Sequence, residues 1–337
     1  MAIAVVIRVD GGPEIGFGHL VRSSALATEI LTAGHTVTVA TTTPDTARAV
    51  FPKTVDTVNL SSRSDPKPFV EWLDTVSPDI VFTDAYPVDT QYQKAVRKQV
   101  PLAVLQDDSR HAVCADLFVN GNLYANDMDY EFVGRNPNCL FGPQYLLLRE
   151  EIRKRIGEKD TFLAHPESLL LLMGGSDVRN STPTVIEAID ASQYDKQITV
   201  VLGPGCDNLT TVYETASTVT QPIKCVYNPD DLADLMVNSD IAITSTGTTV
   251  YELLGLQTPF VGIPQISNQD LIGDSLDDRG LAYVLEKQAS KDKIINGLNE
   301  LLRDLSFRRH IHEIGPTVVD GRGTIRVTNQ VQSLGDS

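Results

Sequence analysis

Residues 3–22 of the chain read IAVVIRVDGGPEIGFGHLVR, and the order of features in this stretch predicts the fold. An apolar run broken only by Arg8 passes into a glycine-rich turn that ends at His19. A continuous Val/Ile run is typical of a strand that is covered on both faces, as in a parallel sheet. Strand, glycine turn and helix in this order predict a strand–helix–strand unit with a right-handed crossover.

An apolar run followed by a glycine turn occurs again at residues 168–177, which read SLLLLMGGSD. Short apolar runs alternate with stretches of helical spacing along the whole chain, which predicts an α/β fold. The predicted strands cover residues 3–9, 36–41, 79–83, 102–105, 168–173, 197–202, 241–244, 259–263 and 282–285. The predicted helices include residues 19–33, 182–191, 231–238 and 248–256.

A polar, charged seam at residues 150–166 separates two halves of ordinary domain size. We therefore predict an N-terminal Rossmann-like domain over residues 1–155 and a C-terminal one over residues 160–337. In this interpretation the two domains face each other across a cleft.

Composition excludes several classes of protein. The 337 residues carry 28 Lys and Arg against 44 Asp and Glu, a net charge of −16, which argues against a nucleic-acid-binding surface. No apolar run is long enough for a membrane span, and four scattered cysteines favour a reducing compartment, so we expect a cytoplasmic protein. None of the histidines and cysteines has metal-ligand spacing, and we expect neither a metal nor a cofactor.

The turn before His19 is the first candidate site. Turns that follow parallel strands lie at the carboxyl edge of the sheet, where ligands bind. Gly16 and Gly18 permit tight turns there, and a histidine changes charge near neutral pH, which suits a general base. The alternative is a histidine that only caps or packs at the helix start. A dinucleotide fingerprint fits poorly, because the third glycine is missing.

Two later turns suit a phosphate. Gly174, Gly175 and Ser176 offer backbone N–H groups and a hydroxyl between a strand and a helix, although an ordinary tight turn explains them equally well. After the strand at 241–244, residues 245–249 read STGTT, and Glu252 follows one helical turn later. A carboxylate there can accept hydrogen bonds from the vicinal hydroxyls of a ribose. Asn268 and Gln269 follow the next strand.

Together these segments resemble the PseG-type UDP-sugar hydrolases of pseudaminic acid biosynthesis and the related SpsG-like predicted glycosyltransferases. More distantly they resemble MurG and the GT-B superfamily. The resemblance spans nearly the whole chain in order. The residues that carry it are 8–10, 15–19 with Arg22, 84–86, 107–108, 148–151, 174–177 with Asn180, 245–252, 268–269, 320–323 and 326–327.

The resemblance implies a GT-B fold and hydrolysis of a UDP-linked amino-deoxy sugar, with inversion and without a metal. It assigns His19 as the base that activates water, Glu252 to the ribose, and the turns at 174–176 and 245–249 to the diphosphate. Asp84, Tyr86, Asn268 and Gln269 are assigned to the sugar. The complete predicted substrate-binding set is Arg8, Asp10, Gly16, Gly18, Arg22, Asp84, Tyr86, Gly174, Gly175, Ser176, Ser245, Gly247, Thr248, Thr249, Glu252, Asn268 and Gln269.

Alternatives remain open at this level. A glycosyltransferase would use the same donor site, with His19 deprotonating an acceptor hydroxyl, and a nucleotide-sugar-binding protein would need no catalysis. The chain also departs from the family pattern, since Ser23 stands where a cysteine is frequent and Ala85 where a histidine is frequent. We expect both positions to line the sugar side.

Overall fold

The chain folds into two units of parallel β-sheet and helices. The computed structural model describes residues 2–192 and 194–335. The first unit contains the residues up to Glu150 together with those from Arg322 onward, and the second contains Glu151–Gly321. The predicted α/β class with two Rossmann-like domains is confirmed.

The elements alternate between strand and helix for most of the chain. The strands are β1 Ala4–Val9, β2 Thr36–Thr41, β3 Asp56–Asn59, β4 Ile80–Asp84, β5 Leu102–Leu105, β6 Leu117–Asn120, β7 Asn138–Phe141, β8 Ser168–Leu172, β9 Gln197–Leu202, β10 Ile223–Tyr227, β11 Ile241–Thr244, β12 Phe260–Gly262 and β13 Tyr283–Val284. The α-helices are α1 Gly18–Thr32, α2 Pro44–Val50, α3 Lys67–Val76, α4 Thr90–Arg97, α5 Glu150–Arg153, α6 Thr182–Ala191, α7 Leu209–Thr218, α8 Leu232–Val237, α9 Thr249–Gly255, α10 Asp270–Asp278, α11 Lys291–Arg303, α12 Leu305–Val318 and α13 Gly323–Gly335. Short 3-10 helices cover Ala125–Asp127, Pro143–Tyr145 and Ser267–Gln269.

Both sheets are parallel throughout. The first has the strand order β3-β2-β1-β4-β5-β6-β7, and the second has the order β10-β9-β8-β11-β12-β13. The strand order therefore reverses between β1 and β4 in one sheet and between β8 and β11 in the other. In open α/β sheets, this reversal point at the carboxyl edge is where ligands bind.

Side-chain alternation along the strands builds a core on each face of the first sheet. Ile7 and Phe82 belong to the core that includes residues of α1 and α13, whereas Val6 and Val81 belong to the core that includes residues of α3 and α4. Burial on both faces explains why these strands are continuous in apolar residues.

The C-terminal helix corrects the predicted domain boundary. Residues 322–335 belong to the first unit, whereas the prediction placed everything from 160 to 337 in the second. Val327 and Val331 of α13 are fully buried in the first unit's core beside residues of α1. The amphipathic pattern of α13 shows that one face is buried, but not which unit buries it.

The helices contain no membrane-spanning candidate: none within the described residues is long and apolar enough to cross a bilayer.

Candidate functional site

The first candidate site is centred on His19 in the first turn of α1. Arg22 and Ser23 follow it by three and four residues and therefore share its face of the helix. Asp84 ends β4 and lies opposite Val9 of β1, beside the point where the strand order reverses. Alternation along β4 turns the Asp84 side chain toward α1.

The Asp84 carboxylate holds these side chains together. Its Oδ1 lies 2.7 Å from His19 Nδ1 and 2.5 Å from Arg22 Nη2. Its Oδ2 accepts from Arg22 Nε at 2.7 Å and from Ser23 Oγ at 3.1 Å. Asp84 is 0% exposed, so these contacts replace its hydration entirely.

The charges around Asp84 fix its ionisation, and its contact with His19 bears on the tautomer of the imidazole. Burial alone raises the pKa of the Asp84 carboxyl, but the Arg22 charge and the hydrogen bonds from Arg22 and His19 hold its pKa well below the ordinary value. His19 Nδ1 also lies 3.0 Å from Arg22 Nη2, which only donates, whereas the ionised Asp84 only accepts, so the two contacts favour opposite tautomers. The shorter contact, 2.7 Å to Asp84, favours the proton on Nδ1. His19 Nε2 is then left with a lone pair, which is the arrangement that a general base requires.

The lowered pKa of Asp84 predicts sensitivity to acid. Unfolding returns this carboxyl to its ordinary value near 3.8. Between that value and the lowered one, the unfolded chain binds more protons than the folded protein, so the free energy of unfolding falls as pH decreases through this range. Urea titrations at pH 6, 5, 4 and 3 should show this loss. Asp84→Asn should be less stable at pH 6 but lose less on acidification. An unchanged slope in the variant would contradict the assignment.

Asp84 and Ser23 are buried beside His19. Both are 0% exposed, and Ser23 Oγ donates to the Asp84 carboxylate. Asp84 also lines a small cavity together with His19. Their predicted positions near the sugar stay predictions.

Tyr86 lies against the His19 ring. The two rings meet edge to face, with centroids 4.7 Å apart. The Arg110 guanidinium stacks 3.9 Å from the Tyr86 centroid, and Asp108 accepts from Arg110 Nη2 at 2.5 Å. His19, Arg22, Tyr86 and Arg110 line one small cavity, together with Ala85 at the second position where the chain departs from the family pattern.

Arg8 and Asp10 lie on the other side of β1. Their side chains are 0% and 1% exposed and form an ion pair of 2.8 Å. Arg8 Nε also donates to Tyr92 Oη at 3.3 Å, and Asp10 accepts from the Thr42 backbone at 2.7 Å. The side chains that were predicted to contact a ligand, those of Arg8 and Asp10, are therefore buried in this structure. The pair instead holds the turn after β1 in place.

Gly16 and Gly18 of the first turn differ in their backbone conformation and accessibility. Gly16 has φ of +95°, and its backbone N–H donates to the Gly12 carbonyl at 2.7 Å, closing a tight loop ahead of His19. Gly18 has no atom within 4 Å of the position that a Cβ would occupy, so its backbone is openly accessible.

The second candidate site lies at the carboxyl edge of the second sheet. Gly174 has φ of +82°, and a Cβ there would lie 3.2 Å from Ser245 Oγ. A Cβ on Gly247 would lie 3.5 Å from Gln269 Nε2. The turns after β8 and β11 and the 3-10 helix after β12 therefore converge, as predicted from their places along the chain.

This convergence leaves several donors without partners. The backbone N–H groups of Gly247, Thr248 and Thr249 have no acceptor among residues 2–192 and 194–335. Over the same ranges the buried Ser176 Oγ also has no partner. Unpaired N–H and hydroxyl groups at a glycine turn suit an anion with several oxygens.

The start of α6 is not part of that donor set. The Asp177 carboxylate accepts from the backbone N–H groups of Ser181 at 2.8 Å and Thr182 at 3.0 Å. The chain's own aspartate therefore occupies the positive end of this helix.

Glu252 and Asn268 follow β11 and β12 and differ in their exposure. Glu252, in α9, is 6% exposed, and Asn268 is exposed in the 3-10 helix after β12. Gln269 Oε1 accepts from the Gln265 backbone N–H at 2.9 Å, which fixes that segment.

The structure adds Asp107 and Gly203 to the candidate residues. Asp107 accepts from both terminal nitrogens of Arg22, at 2.8 and 3.0 Å. A Cβ on Gly203 would lie 2.4 Å from the Gly175 carbonyl oxygen, so Gly203 sets the position of the Gly174–Gly175 turn. The residue pair 107–108 is part of the family resemblance, but nothing in the sequence gives either residue this role.

A metal site is absent from the part of the chain that the structure describes. No group of three or more His, Cys, Asp and Glu side chains there is placed to hold an ion. The expectation of metal-independent chemistry stays a prediction.

Comparison with known proteins supports the resemblance. Residues 169–310 match the glycosyltransferase family 28 C-terminal domain. The chain is 24% identical to the spore coat polysaccharide biosynthesis protein SpsG of Bacillus subtilis, over 98% of both chains. It is also 24% identical to the UDP-2,4-diacetamido-2,4,6-trideoxy-beta-L-altropyranose hydrolase of Campylobacter jejuni, over 82% of this chain and 97% of that protein. An uncharacterized protein of Methanocaldococcus jannaschii is 27% identical over 79% of this chain, which spans only 55% of that protein's length.

Solved glycosyltransferases share the fold. The structure superposes on MurG of Acinetobacter baumannii with a TM-score of 0.68 and 13% identity, covering 98% and 99% of the two chains. CalG4, the calicheamicin glycosyltransferase, gives a TM-score of 0.69 at 14% identity, covering 99% and 98%. The predicted GT-B fold class is therefore confirmed.

Proposed function

We propose that this protein hydrolyses a UDP-linked amino-deoxy sugar at the anomeric carbon, releasing UDP and the free sugar. The observation that carries the proposal is the His19–Asp84 pair, which leaves His19 Nε2 as a proton acceptor at the reversal point of the first sheet. The similarity to the Campylobacter jejuni hydrolase supports it.

The proposed reaction is a single displacement. A water oxygen attacks the anomeric carbon as His19 Nε2 takes its proton, and the bond from that carbon to the diphosphate oxygen breaks. Attack from the face opposite the leaving group inverts the configuration. Asp84 stabilises the imidazolium that forms, as the buried aspartate of a catalytic triad does.

In this proposal the second unit binds UDP. The unpaired N–H groups of residues 247–249, with Ser176 Oγ and the Gly174–Gly175 turn, stabilise the negative charge on the departing diphosphate. Because these donors are neutral, a protein with a net charge of −16 can bind a dianion without clustered Lys or Arg.

A glycosyltransferase is the second candidate, favoured by the family 28 match over residues 169–310. His19 would then take the proton of an acceptor hydroxyl instead of water. A screen of UDP-, CMP- and GDP-sugars followed by proton NMR separates the two. Free sugar formed without an acceptor supports hydrolysis, and turnover that requires a second sugar supports transfer. UDP binding with no turnover in either assay points to a non-catalytic binding protein.

Replacing Glu252 by alanine should weaken UDP binding while leaving the fold intact. The carboxylate is almost fully buried in α9, and losing its hydrogen bonds to a ribose should cost about 1–3 kcal/mol. Calorimetric titration with UDP measures this loss. Glu214→Ala, an exposed glutamate in α7, is the matched control and should bind UDP like the wild type. Equal affinities for the two variants would remove Glu252 from the site.

A further inference from the structure

Asp107 follows β5 by two residues and has both side-chain oxygens engaged. Oδ1 accepts from Arg22 Nη1 at 2.8 Å and from Asn122 Nδ2 at 3.1 Å. Oδ2 accepts from Arg22 Nη2 at 3.0 Å and lies 3.4 Å from Tyr86 Oη. The side chain is only 16% exposed, so these groups take most of its surface.

The backbone of Asp107 is anchored as firmly as its side chain. Its carbonyl accepts from Tyr124 Oη at 2.9 Å and from Asn120 Nδ2 at 3.1 Å. Asn120 Oδ1 in turn accepts from Asn122 Nδ2 at 2.8 Å, and Asn122 also holds the Asp107 carboxylate. Asp107 is therefore held through both its backbone and its side chain, and Arg22 and Tyr86 are tied to its carboxylate.

Two of the tied side chains contact His19. Arg22 bridges from Asp107 to Asp84, which binds His19 Nδ1, and Tyr86 packs its ring edge to face against the imidazole. We infer that Asp107 is a positioning residue: through Arg22 and Tyr86 it sets the orientation and protonation of His19 without touching it. The inference rests on the proposed function for its kinetic consequences, but its structural consequences are independent of any substrate.

The charges around His19 also indicate a positioning role for Asp107. Asp84, Arg22 and Tyr86 face His19, and Arg110 lines the same cavity. Burial alone lowers the pKa of Arg22, but the charges of Asp107 and Asp84 raise it well above its ordinary value. Removing the Asp107 charge leaves the Arg22 cation balanced by one carboxylate that it shares with His19. Arg22 then competes with His19 for Asp84, so the contact of His19 Nδ1 with Asp84 should weaken.

Asp107→Asn tests this without a large change in shape. We expect kcat to fall by ~10-fold or more, as for a group that orients a base, with KM changed by only about twofold. In protein labelled with ¹⁵N-histidine, the His19 ring signals, assigned from His19→Ala, should lose their preference for the Nδ1–H tautomer.

Asp116→Asn is the matched control. Asp116 pairs with Arg97 at 2.8 Å, and its Oδ2 accepts from the backbone N–H of Leu102, at the start of β5 and away from the carboxyl edge. It should reproduce any general loss of stability but leave kcat and the His19 signals unchanged. Asp107→Glu keeps the charge and should keep the Nδ1–H tautomer of His19 even if kcat falls, and it serves as the test if the asparagine variant fails to fold.

The outcomes separate this inference from the proposed function. Unchanged His19 signals in Asp107→Asn would overturn the positioning role, even in an active enzyme. Loss of the Nδ1–H preference in Asp107→Glu as well would overturn the charge argument. Altered His19 signals in a protein that turns over no UDP-sugar would leave the positioning role standing and overturn the hydrolase.

Discussion

We expect His19→Ala to lower kcat by ~10²–10⁴ and to leave the affinity for UDP unchanged. In the proposed mechanism the imidazole accepts the proton and the second unit binds UDP, so the loss of the imidazole affects the chemical step. Steady-state assays by product NMR, paired with calorimetric UDP titrations, measure the two effects separately.

Two further variants sharpen this test. His165→Ala removes an exposed histidine from a loop of the second unit and should have wild-type kcat. Asp84→Asn keeps the size of the side chain but offers an amide to His19 Nδ1, which favours the wrong tautomer, so kcat should fall here too. A His19→Ala enzyme with normal turnover would rule out His19 as the base and leave a binding role for the first unit.

Gly203→Ala should damage the second candidate site more than any change to a side chain there. Its Cβ would lie 2.4 Å from the Gly175 oxygen and 2.6 Å from the Gly175 Cα, and backbone cannot rotate away as a side chain does. The Gly205 N–H donates to the same oxygen at 2.9 Å, so this hydrogen bond must also lengthen or break. We expect a loss of about 1–3 kcal/mol in the free energy of unfolding and a ~10-fold or greater rise in the Kd for UDP.

Gly247→Ala is the matched control in the same site. Its Cβ would lie 3.5 Å from the nearest atom, an ordinary contact, and its φ is not in the left-handed region. Urea unfolding should therefore show near wild-type stability. If Gly203→Ala is equally stable and binds UDP normally, the turn at Gly174–Gly175 is not held by Gly203.

The strands that form continuous apolar runs are predictable from the sequence, and several short or half-buried ones are not. β1, β4, β8 and β11 appear as continuous apolar runs within a residue or two of their observed bounds. β6 escapes prediction although it is fully buried, because no helix separates it from β5 and its four residues, LFVN, end in a polar one. β3 and β10 are edge strands with half-buried faces, so they lack the continuous apolar run.

The candidate site shows the same division between local and distant information. The spacing of His19 and Arg22 on one helix face is local, and the sequence predicts it. The pairing of His19 with Asp84, 65 residues away, depends on β4 lying beside β1 and is set by the sheet topology. Alternation along β1 also indicates the inward position of Arg8. Ile7 and Val9 point to the α1 side, so Arg8 points away from His19.

The return of α13 to the first unit has a consequence for biosynthesis. The histidine-bearing unit is assembled from the two ends of the described chain, while the second unit is continuous in sequence. A ribosome emits the first 150 residues long before it emits α13, whose Val327 and Val331 complete their core. The apolar groove that α13 covers therefore stays open in the nascent first unit until α13 is synthesised. By that time the second unit has already been able to fold. His19 is translated well before α13, so the unit that holds His19 is completed only after the second unit has been synthesised.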